Sequence, residues 1–312
     1  MKKTLFFHLL SFIFFVLLQK NRQKMKKILL LACCSLLLLW SCGETPVEKR
    51  RLTKAERERL KAEERQALKF GVLPTLDCLP LFVAKERGVF EKLGVDVRLR
   101  PCKAQMDIDT ALVGGSMNGA VSDSVRVARM ISRGTPLKSL GRSIADWQLI
   151  ANRSARLKEV KQLGDKMVAM TRYSATDYLT DHVLKGVKTQ ATVYRVQIND
   201  VSLRLQMLLN NEMDALWLPE PQATVAREHG NTVLWDTRKA GMKLGRMVVR
   251  EKDIADKRVR EQVEKLVKGY NMACDSLNAK GLSAYGEVIV KYCHVEEKSI
   301  GALPKVRFEK LK

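Results

Sequence analysis

Two hydroxyl residues stand at the start of a predicted helix, directly after a predicted buried strand. The strand covers residues 166–170, and Ser174 and Thr176 follow where the next helix begins. The first turn of a helix offers unpaired backbone N–H groups and the positive end of the helix dipole, which together suit an anion. The same hydroxyls can cap the helix, and capping is compatible with ligand contact. We therefore predict that a small molecule with an anionic or strongly accepting group binds near Ser174 and Thr176.

Four further loops follow predicted strands and carry polar or aromatic side chains. In open α/β sheets, ligands bind beyond the carboxyl ends of the strands, so these loops are candidates for the same site. Their candidate ligand-binding residues are Thr75, Asp77, Ser122, Ser124, Asn199, Trp217 and Glu220. Trp217 either stacks on a flat ligand or is an ordinary core aromatic. Glu220 either has a structural role or binds a ligand that has N–H donors.

The common catalytic and metal-binding motifs are absent from the sequence. It contains no nucleophile elbow, no phosphate-binding glycine loop and no HExxH motif. No pair of cysteines has the spacing of metal ligands. Histidines 182, 229 and 294 fall in the middle of a helix, near a helix end and in the C-terminal region. We therefore predict a protein that is not an enzyme and that needs neither a metal nor a cofactor.

Short apolar strands alternate with helical patterns from Ala67 onward. The run Leu68–Leu73 stops at a proline, and the next helix begins at Pro80, whose missing N–H is not needed in a first turn. Near the end of the chain, apolar residues from Val259 to Leu277 mark one face of a long helix. Strands that alternate with helices predict an α/β fold of mainly parallel sheets with helices on both faces.

One seven-residue segment recurs 96 residues later, because Gly115–Val121 aligns without gaps to Asn211–Trp217. In both copies, a helix ends in a residue that tolerates a positive φ, and a strand follows. The order of predicted elements around the two copies is also the same. We therefore predict two similarly built lobes.

The positive charge of the chain is large but scattered. Lys and Arg number 56 and Asp and Glu 34, which gives a formal charge of +22. Residues 1–41 carry seven basic and no acidic residues, and the part beyond residue 66 carries 41 basic against 28 acidic ones. Because no basic block occurs in that part, we expect a solvated surface and no nucleic-acid partner.

The N-terminal region has the pattern of an export signal. After Met25, a basic start precedes an apolar run that is short for a bilayer span. The run ends in Leu39-Trp40-Ser41-Cys42, which resembles the lipobox of bacterial lipoproteins, although Trp40 is bulkier than usual. We predict a signal peptide over 25–41 and lipidation at Cys42, with an uncleaved membrane anchor as the alternative.

Two segments flank this signal. Residues 1–24 hold another short apolar run, which is either a start-site artefact ahead of Met25 or an extra hydrophobic segment. Residues 42–66 are dominated by Glu, Lys and Arg and predict a charged tether that contains a short polar helix. In the exported part, the chain order suggests the disulfides Cys78–Cys102 and Cys274–Cys293, although sequence alone does not fix connectivity.

The segment LKFGVLPTLDCLPLFVAKERGVFEKLGVDVRL at 68–99 resembles the opening of type II periplasmic substrate-binding proteins of ABC transporters. The nitrate, sulfonate, taurine and thiamine-pyrimidine group is the most similar. Three further segments match in the same order, at 108–119, 163–185 and 214–223. The resemblance covers residues 67 to about 270.

This resemblance implies a two-lobed type II periplasmic-binding-protein fold. One lobe comprises 67–145 plus 241–312 and the other comprises 146–240, with crossings near Asp146 and Gly241–Arg246. It also implies a monomeric substrate-binding component of an ABC importer, which delivers a small ligand to a permease with an ATPase. Such a protein would be lipid-anchored on the periplasmic side of a bacterial membrane. The alternatives are an enzyme of the same fold that acts on a pyrimidine or carboxylate, and a lipoprotein that binds a partner without a small ligand.

Overall fold

The structure is a computed structural model that describes residues 54–312 of the chain. The chain divides into two units, residues 1–61 and residues 62–312. The described part of the first unit is the beginning of helix α1 (Lys54–Gln66), a polar helix of the kind that the charged sequence predicts.

Several predictions on the N-terminal region lie outside the described residues. These are the extra segment 1–24, the signal peptide 25–41 and the lipidation of Cys42. Within residues 54–312, no helix is both long and apolar enough to cross a membrane.

Two five-stranded sheets form the framework of residues 62–312. The first has the strand order β2-β1-β3-β10-β4 and the second the order β7-β6-β8-β5-β9. The first contains β1 (Leu68–Val72), β2 (Val97–Pro101), β3 (Gly119–Asp123), β4 (Leu137–Gly141) and β10 (Gly245–Arg250). The second contains β5 (Trp147–Ala151), β6 (Met167–Met170), β7 (Tyr194–Gln197), β8 (Ala215–Pro219) and β9 (Thr232–Asp236).

One strand in each sheet runs against the other four. Strand β10 pairs antiparallel with both β3 and β4, and β5 pairs antiparallel with both β8 and β9. The remaining pairs are parallel. The predicted α/β fold with mainly parallel sheets is therefore confirmed, and in each sheet the reversed strand is the one that the chain enters from the other sheet.

Helices cover both faces of each sheet. Those of the first lobe are α2 (Leu79–Glu86), α3 (Val89–Lys92), α4 (Gln105–Gly114), α5 (Ser124–Ser132), α9 (Glu251–Ile254), α10 (Lys257–Lys280) and α11 (Gly286–Cys293). Those of the second are α6 (Ala175–Leu184), α7 (Val201–Leu209) and α8 (Gln222–Glu228). Phe70 of β1 packs with α2 and α10 on one face of the first sheet, whereas Ala120 of β3 packs with α4 and α5 on the other.

The recurring segment marks equivalent positions in the two sheets. Strands β3 and β8 begin at Gly119 and Ala215, which are 96 residues apart, like the two copies of the segment. Gly115 has φ +75° and Asn211 has φ +62°, so both adopt the left-handed conformation that ends the preceding helix. The prediction of two similarly built lobes is confirmed by these positions and by the shared strand order.

The chain passes between the sheets twice. Residues 142–146 connect β4 to β5, and residues 237–244 connect β9 to β10. The Thr237 backbone N–H donates to the Trp147 carbonyl at 3.0 Å, so the two crossings are joined where they leave the second sheet. The crossings divide residues 62–312 into lobe 1, built on the first sheet, and lobe 2, built on the second.

Two details differ from the sequence-based expectations. The tether predicted for 42–66 ends earlier, because the Glu64 carboxylate at the end of α1 pairs with Arg98 and Arg100 of β2. The thiols of Cys78, Cys102, Cys274 and Cys293 are all free, so the suggested disulfides are not formed. Cys78 and Cys102 pack on opposite faces of the first sheet. The Cys274 thiol instead faces the Glu309 carbonyl, at 3.7 Å.

Candidate functional site

The carboxyl ends of β1, β3, β6 and β8 face a cleft between the lobes, the usual location of a ligand site in open α/β sheets. The cleft encloses a cavity of about 40 Å³. Six of the nine predicted ligand-binding residues line it, namely Thr75, Asp77, Ser122, Ser174, Thr176 and Asn199. The topology thus brings loops that are distant in the sequence to a single small cavity.

Arg204 of α7 is the most unusual residue in the wall of this cavity. Its side chain is 3% exposed, and it has no ion-pair partner among residues 54–312. One Nη1–H donates to the Trp217 carbonyl at 2.8 Å, whereas the buried Nε–H has no partner in the described part of the chain. Burial lowers the pKa of Arg204 to about 10, and the nearby Asp200 carboxylate opposes that shift. The guanidinium therefore remains charged at neutral pH and has a donor to offer.

A second buried donor comes from the opposite lobe. Ser122 lies near the end of β3, is 4% exposed, and its hydroxyl has no hydrogen-bond partner among the described residues. Burying a polar group without a partner costs about 1–3 kcal/mol. Ser122 in lobe 1 and Arg204 in lobe 2 line the same cavity, so one acceptor group placed there could satisfy both.

Two buried carboxyl groups face the cavity from lobe 1. Asp77 accepts a hydrogen bond from the Thr75 hydroxyl at 2.5 Å, and burial raises its pKa. Asp123 caps α5 by accepting from the backbone N–H groups of Val125 and Arg126, both at 3.0 Å. Burial raises the pKa of Asp123 to about 6, although the two capping N–H groups and the Arg126 guanidinium favour its ionised form.

The hydroxyls at the start of α6 form a closed hydrogen-bond circuit. The Thr171 N–H donates to Thr176 Oγ1 at 3.0 Å, and the Ser174 hydroxyl donates to the Thr171 carbonyl at 2.6 Å. The two hydroxyl oxygens are 2.9 Å apart, and the Ser174 oxygen also accepts from the Thr176 N–H. Because the Ser174 proton points at Thr171, the bond between the hydroxyls uses the Thr176 proton. Both hydroxyl protons are therefore used within this circuit, so neither is free for the ligand that the sequence analysis predicts near Ser174 and Thr176.

The first backbone N–H of α6 instead faces a carboxyl group of lobe 1. The Ala175 N–H is close enough to Asp123 to favour the ionised form of that carboxyl group. A carboxylate at a helix N-terminus is stabilised by the helix dipole. In this arrangement, the anion beside the start of α6 is a side chain of the protein itself.

Three predicted ligand-binding residues do not line the 40 Å³ cavity. Trp217 is fully buried in the core of lobe 2, where its indole N–H donates to Thr180 Oγ1 at 2.9 Å. Glu220 is 5% exposed, accepts from the Thr224 hydroxyl at 2.6 Å and pairs with Arg227 at 2.9 Å. Ser124 is the first residue of α5, beyond the cavity wall. These positions give Trp217 and Glu220 structural contacts.

The lobes also touch at the rim of the cleft. Ala104 of lobe 1 forms an isolated antiparallel bridge with Asp200 of lobe 2. The guanidinium of Arg129 on α5 lies 3.6 Å from the ring centroid of Tyr173, at the start of α6. Both contacts join lobe 1 to lobe 2 in this arrangement.

The arrangement suits binding better than it suits catalysis or metal coordination. Its wall combines two unpartnered donors with two buried carboxyl groups, which together can orient a small polar molecule. Within residues 54–312, no group of three or more His, Cys, Asp or Glu side chains could hold a metal ion.

Eleven residues of the cavity wall were not among the predicted ligand-binding residues, and those with polar side-chain atoms are Gln105, Asp123, Trp147, Thr171 and Arg204. A signal for Arg204 exists in the sequence. Val201, Arg204 and Leu208 follow one another at intervals of three and four and therefore share a helix face. Val201 and Leu208 are both buried, so an arginine between them indicates a charge on the inward face of α7.

The comparisons with solved structures agree on the fold. A periplasmic nitrate-binding protein from Synechocystis PCC 6803 aligns with a TM-score of 0.65 and 18% identity, over 75% of this chain and 68% of that one. The alkanesulfonate-binding protein from Xanthomonas axonopodis pv. citri, bound to MOPS, aligns with a TM-score of 0.66 and 14% identity, over 79% and 87%. The ligand-binding component of an ABC-type import system from Staphylococcus aureus aligns with a TM-score of 0.64 and 14% identity, over 79% of this chain and 86% of that one.

These likenesses confirm the predicted two-lobed periplasmic-binding-protein fold. No curated protein matches the chain. The model of the NMT1-like family matches residues 61–286, which include both sheets and all of α10. Because that match spans well over half of the sequence, the chain belongs to the NMT1-like family.

Proposed function

We propose that this protein is the substrate-binding component of an ABC importer and holds a small ligand between its two lobes. One observation carries the proposal. Ser122 and Arg204 each have a buried donor without a partner among residues 54–312, belong to opposite lobes, and line one cavity. A ligand acceptor that satisfies both would favour the closed arrangement over an open one, as a binding protein of this kind requires.

The proposed ligand is compact and carries an oxyanion or a similarly strong acceptor. A guanidinium and a hydroxyl are donors that match such a group. A cavity of about 40 Å³ favours a group of few heavy atoms over an aminopyrimidine ring. The printed names of two structural neighbours, a nitrate-binding and an alkanesulfonate-binding protein, are in line with this class.

The proposed mechanism is closure around the ligand, followed by docking on a membrane permease that an ATPase drives. The ligand must bind the closed state more tightly than the open state. Moving the ratio of closed to open from 1:99 to 99:1 needs about 5.5 kcal/mol of differential binding. The proposed location is the periplasmic side of a bacterial membrane, with a lipid anchor at Cys42.

Native mass spectrometry of the purified protein, followed by thermal-shift assays, tests this function. The panel consists of nitrate, methanesulfonate, taurine and an aminopyrimidine. We expect the compact oxyanions to raise the melting temperature by mass action. Arg204→Gln and Ser122→Ala should each weaken binding, because each removes a donor from a buried acceptor. A loss of about 1.5–3 kcal/mol corresponds to a factor of roughly ten to a hundred.

Matched controls come from exposed positions of the same residue types. Arg258→Gln and Ser132→Ala should leave binding unchanged, because both residues are exposed and lie outside the cavity wall. Two outcomes would contradict the proposal. Turnover of a bound molecule by the purified protein would favour an enzyme, and a cleft that binds neither a co-purified molecule nor any probe would favour a partner-binding lipoprotein.

A further inference from the structure

A second cavity lies at the hinge, away from the ligand cavity. Its volume is about 200 Å³, and three separate segments line it. Two of them belong to the crossings between the lobes, at 143–146 and 237–243. The third is the C-terminal tail at 305–309. We refer to this cavity as the hinge pocket.

Arg238 gives the hinge pocket a fixed donor. Its Nε–H donates to an Asp146 carboxylate oxygen at 2.8 Å, which joins the second crossing to the first. The same carboxyl group also accepts from the Thr237 hydroxyl at 3.4 Å. The Nη2 atom of Arg238 is buried and has no hydrogen-bond partner among residues 54–312. Arg238 thus lines the pocket with a guanidinium that Asp146 holds in place and whose Nη2 is unpartnered.

The charges around the hinge pocket do not balance. Arg238 is paired with Asp146, and Lys243 is paired with Glu309. Lys305 and Arg307 also line the pocket, and neither has an ion-pair or hydrogen-bond partner in the described part of the chain. Two positive charges therefore remain unpaired beside the free donor of Arg238. This excess favours an occupant with two negative charges.

The pocket is large enough for such an occupant. An apolar cavity of about 150 Å³ can hold benzene, which has six heavy atoms. A phosphate has five heavy atoms, so it fits within 200 Å³. An arginine fork beside two further cations is well suited to a tetrahedral dianion, because guanidinium groups donate pairs of hydrogen bonds to its oxygens.

We propose that the hinge pocket is a second anion site, which takes a small soluble dianion of the phosphate type. This site is separate from the ligand cavity and does not depend on the function proposed above. Because both crossings line the pocket, its occupant touches the two segments that must deform when the lobes move. Occupancy is therefore expected to restrain that motion.

Titration of the purified protein with inorganic phosphate tests the site. Isothermal calorimetry at constant ionic strength, with chloride as the reference anion, gives the affinity. We expect saturable binding that the double variant Lys305→Gln, Arg307→Gln weakens at least tenfold. This variant changes only exposed tail residues, so it should fold normally. Arg238→Gln should weaken binding as well, and its melting curve without phosphate shows whether the hinge remains intact.

Two controls separate the hinge pocket from other sources of phosphate binding. The charge-matched double variant Lys298→Gln, Lys310→Gln removes two exposed lysines outside the pocket and should bind phosphate normally. Ser122→Ala changes only the ligand cavity and should also leave phosphate binding unchanged. The proposal is overturned if phosphate binding survives Lys305→Gln, Arg307→Gln, or if Ser122→Ala abolishes it.

A membrane surface is the other source of phosphate groups. Flotation with phosphatidylglycerol vesicles distinguishes a lipid headgroup from a free anion. We expect no flotation that depends on Lys305 and Arg307, because the proposed site is a pocket between the crossings and the C-terminal tail. Flotation that the double variant abolishes would assign these residues to a membrane surface instead.

Discussion

Arg204 and Asp123 are buried charged groups that stability alone would not select. An arginine without an ion-pair partner costs free energy when it is buried, and so does a carboxyl group whose pKa burial raises. Both side chains line the 40 Å³ cavity. Unfavourable burial of this kind is common at functional sites, where recognition needs groups that the rest of the fold would exclude.

The raised pKa of Asp123 makes stability depend on pH. Its pKa is about 6 in the folded state, against about 3.9 in an unfolded chain. The folded state therefore binds the proton more tightly, and this carboxyl group lowers the free energy of unfolding as pH rises from about 4 to about 6. Asp123→Asn can still cap α5 and should lack this loss, which we expect to be roughly 3 kcal/mol.

Urea denaturation compares the unfolding free energies of the natural chain and of Asp123→Asn at several pH values between about 3.5 and 7. This range spans the folded and the unfolded pKa of Asp123. The stability of Asp123→Asn relative to the natural chain should increase across that window and level off above it. Parallel profiles for the two proteins would contradict a raised pKa at Asp123.

Trp217 offers a second test at the scale of one residue. Trp217→Phe removes the indole N–H that donates to Thr180 Oγ1 and leaves a small cavity in the core of lobe 2. We expect a loss of about 1–3 kcal/mol in the free energy of unfolding, with ligand affinity unchanged. Lost affinity at unchanged stability would instead show that Trp217 contacts the ligand.

At the scale of elements, the N-terminus of α6 binds groups of the protein itself instead of an external anion. The residues that predicted an anion site at Ser174 and Thr176 do line the cavity, but their hydroxyl protons close a circuit with Thr171. The first N–H of the helix faces Asp123 instead. The start of α6 therefore joins the two lobes in this arrangement, and the cavity-lining residues with unpartnered donors, Ser122 and Arg204, lie on β3 and α7.

This circuit predicts a stability effect at Ser174. Ser174→Ala removes the N-cap of α6 and leaves the Thr171 carbonyl without its donor, so we expect a loss of about 1–2 kcal/mol. Ser124→Ala is the matched control, because the cap of α5 is the neighbouring Asp123. Unfolding free energies from urea titration compare the two variants. The interpretation fails if Ser174→Ala is as stable as Ser124→Ala.

Most elements could be predicted from the sequence, because their apolar patterns are regular. The strand predicted at 166–170 is observed at 167–170, and the long helix predicted around Val259 to Leu277 is α10, Lys257–Lys280. Predicted site residues line the cavity where a loop directly follows a strand, since topology brings strand ends together. The sequence did not identify Arg204 as a cavity residue, because Arg204 lies inside a helix. Its place beside Ser122 in the cavity wall depends on how the two lobes pack.

At the scale of the whole molecule, the two lobes contact each other at the rim of the cleft. The Arg129 guanidinium and the Tyr173 ring form one such contact between α5 and the start of α6. A partly exposed cation–π pair contributes about 0.5–1 kcal/mol. Removing it should change the ratio of closed to open protein by roughly two- to fivefold.

Arg129→Gln tests this contribution in the ligand-free protein. Small-angle X-ray scattering should show a larger radius of gyration than the natural chain has, because more molecules are open. Arg133→Gln, at the exposed end of the same helix, is the control that keeps the net charge equal. Identical scattering from the two variants would show that this contact does not hold the cleft.

The position of β10 determines the order in which a growing chain can complete its two sheets. Strand β10 lies between β3 and β4, so these two strands cannot join one sheet until Arg250 has been synthesised. The second sheet needs only β5 to β9, which end at Asp236, before β10 begins. During translation, lobe 2 can therefore fold while lobe 1 still lacks its connecting strand.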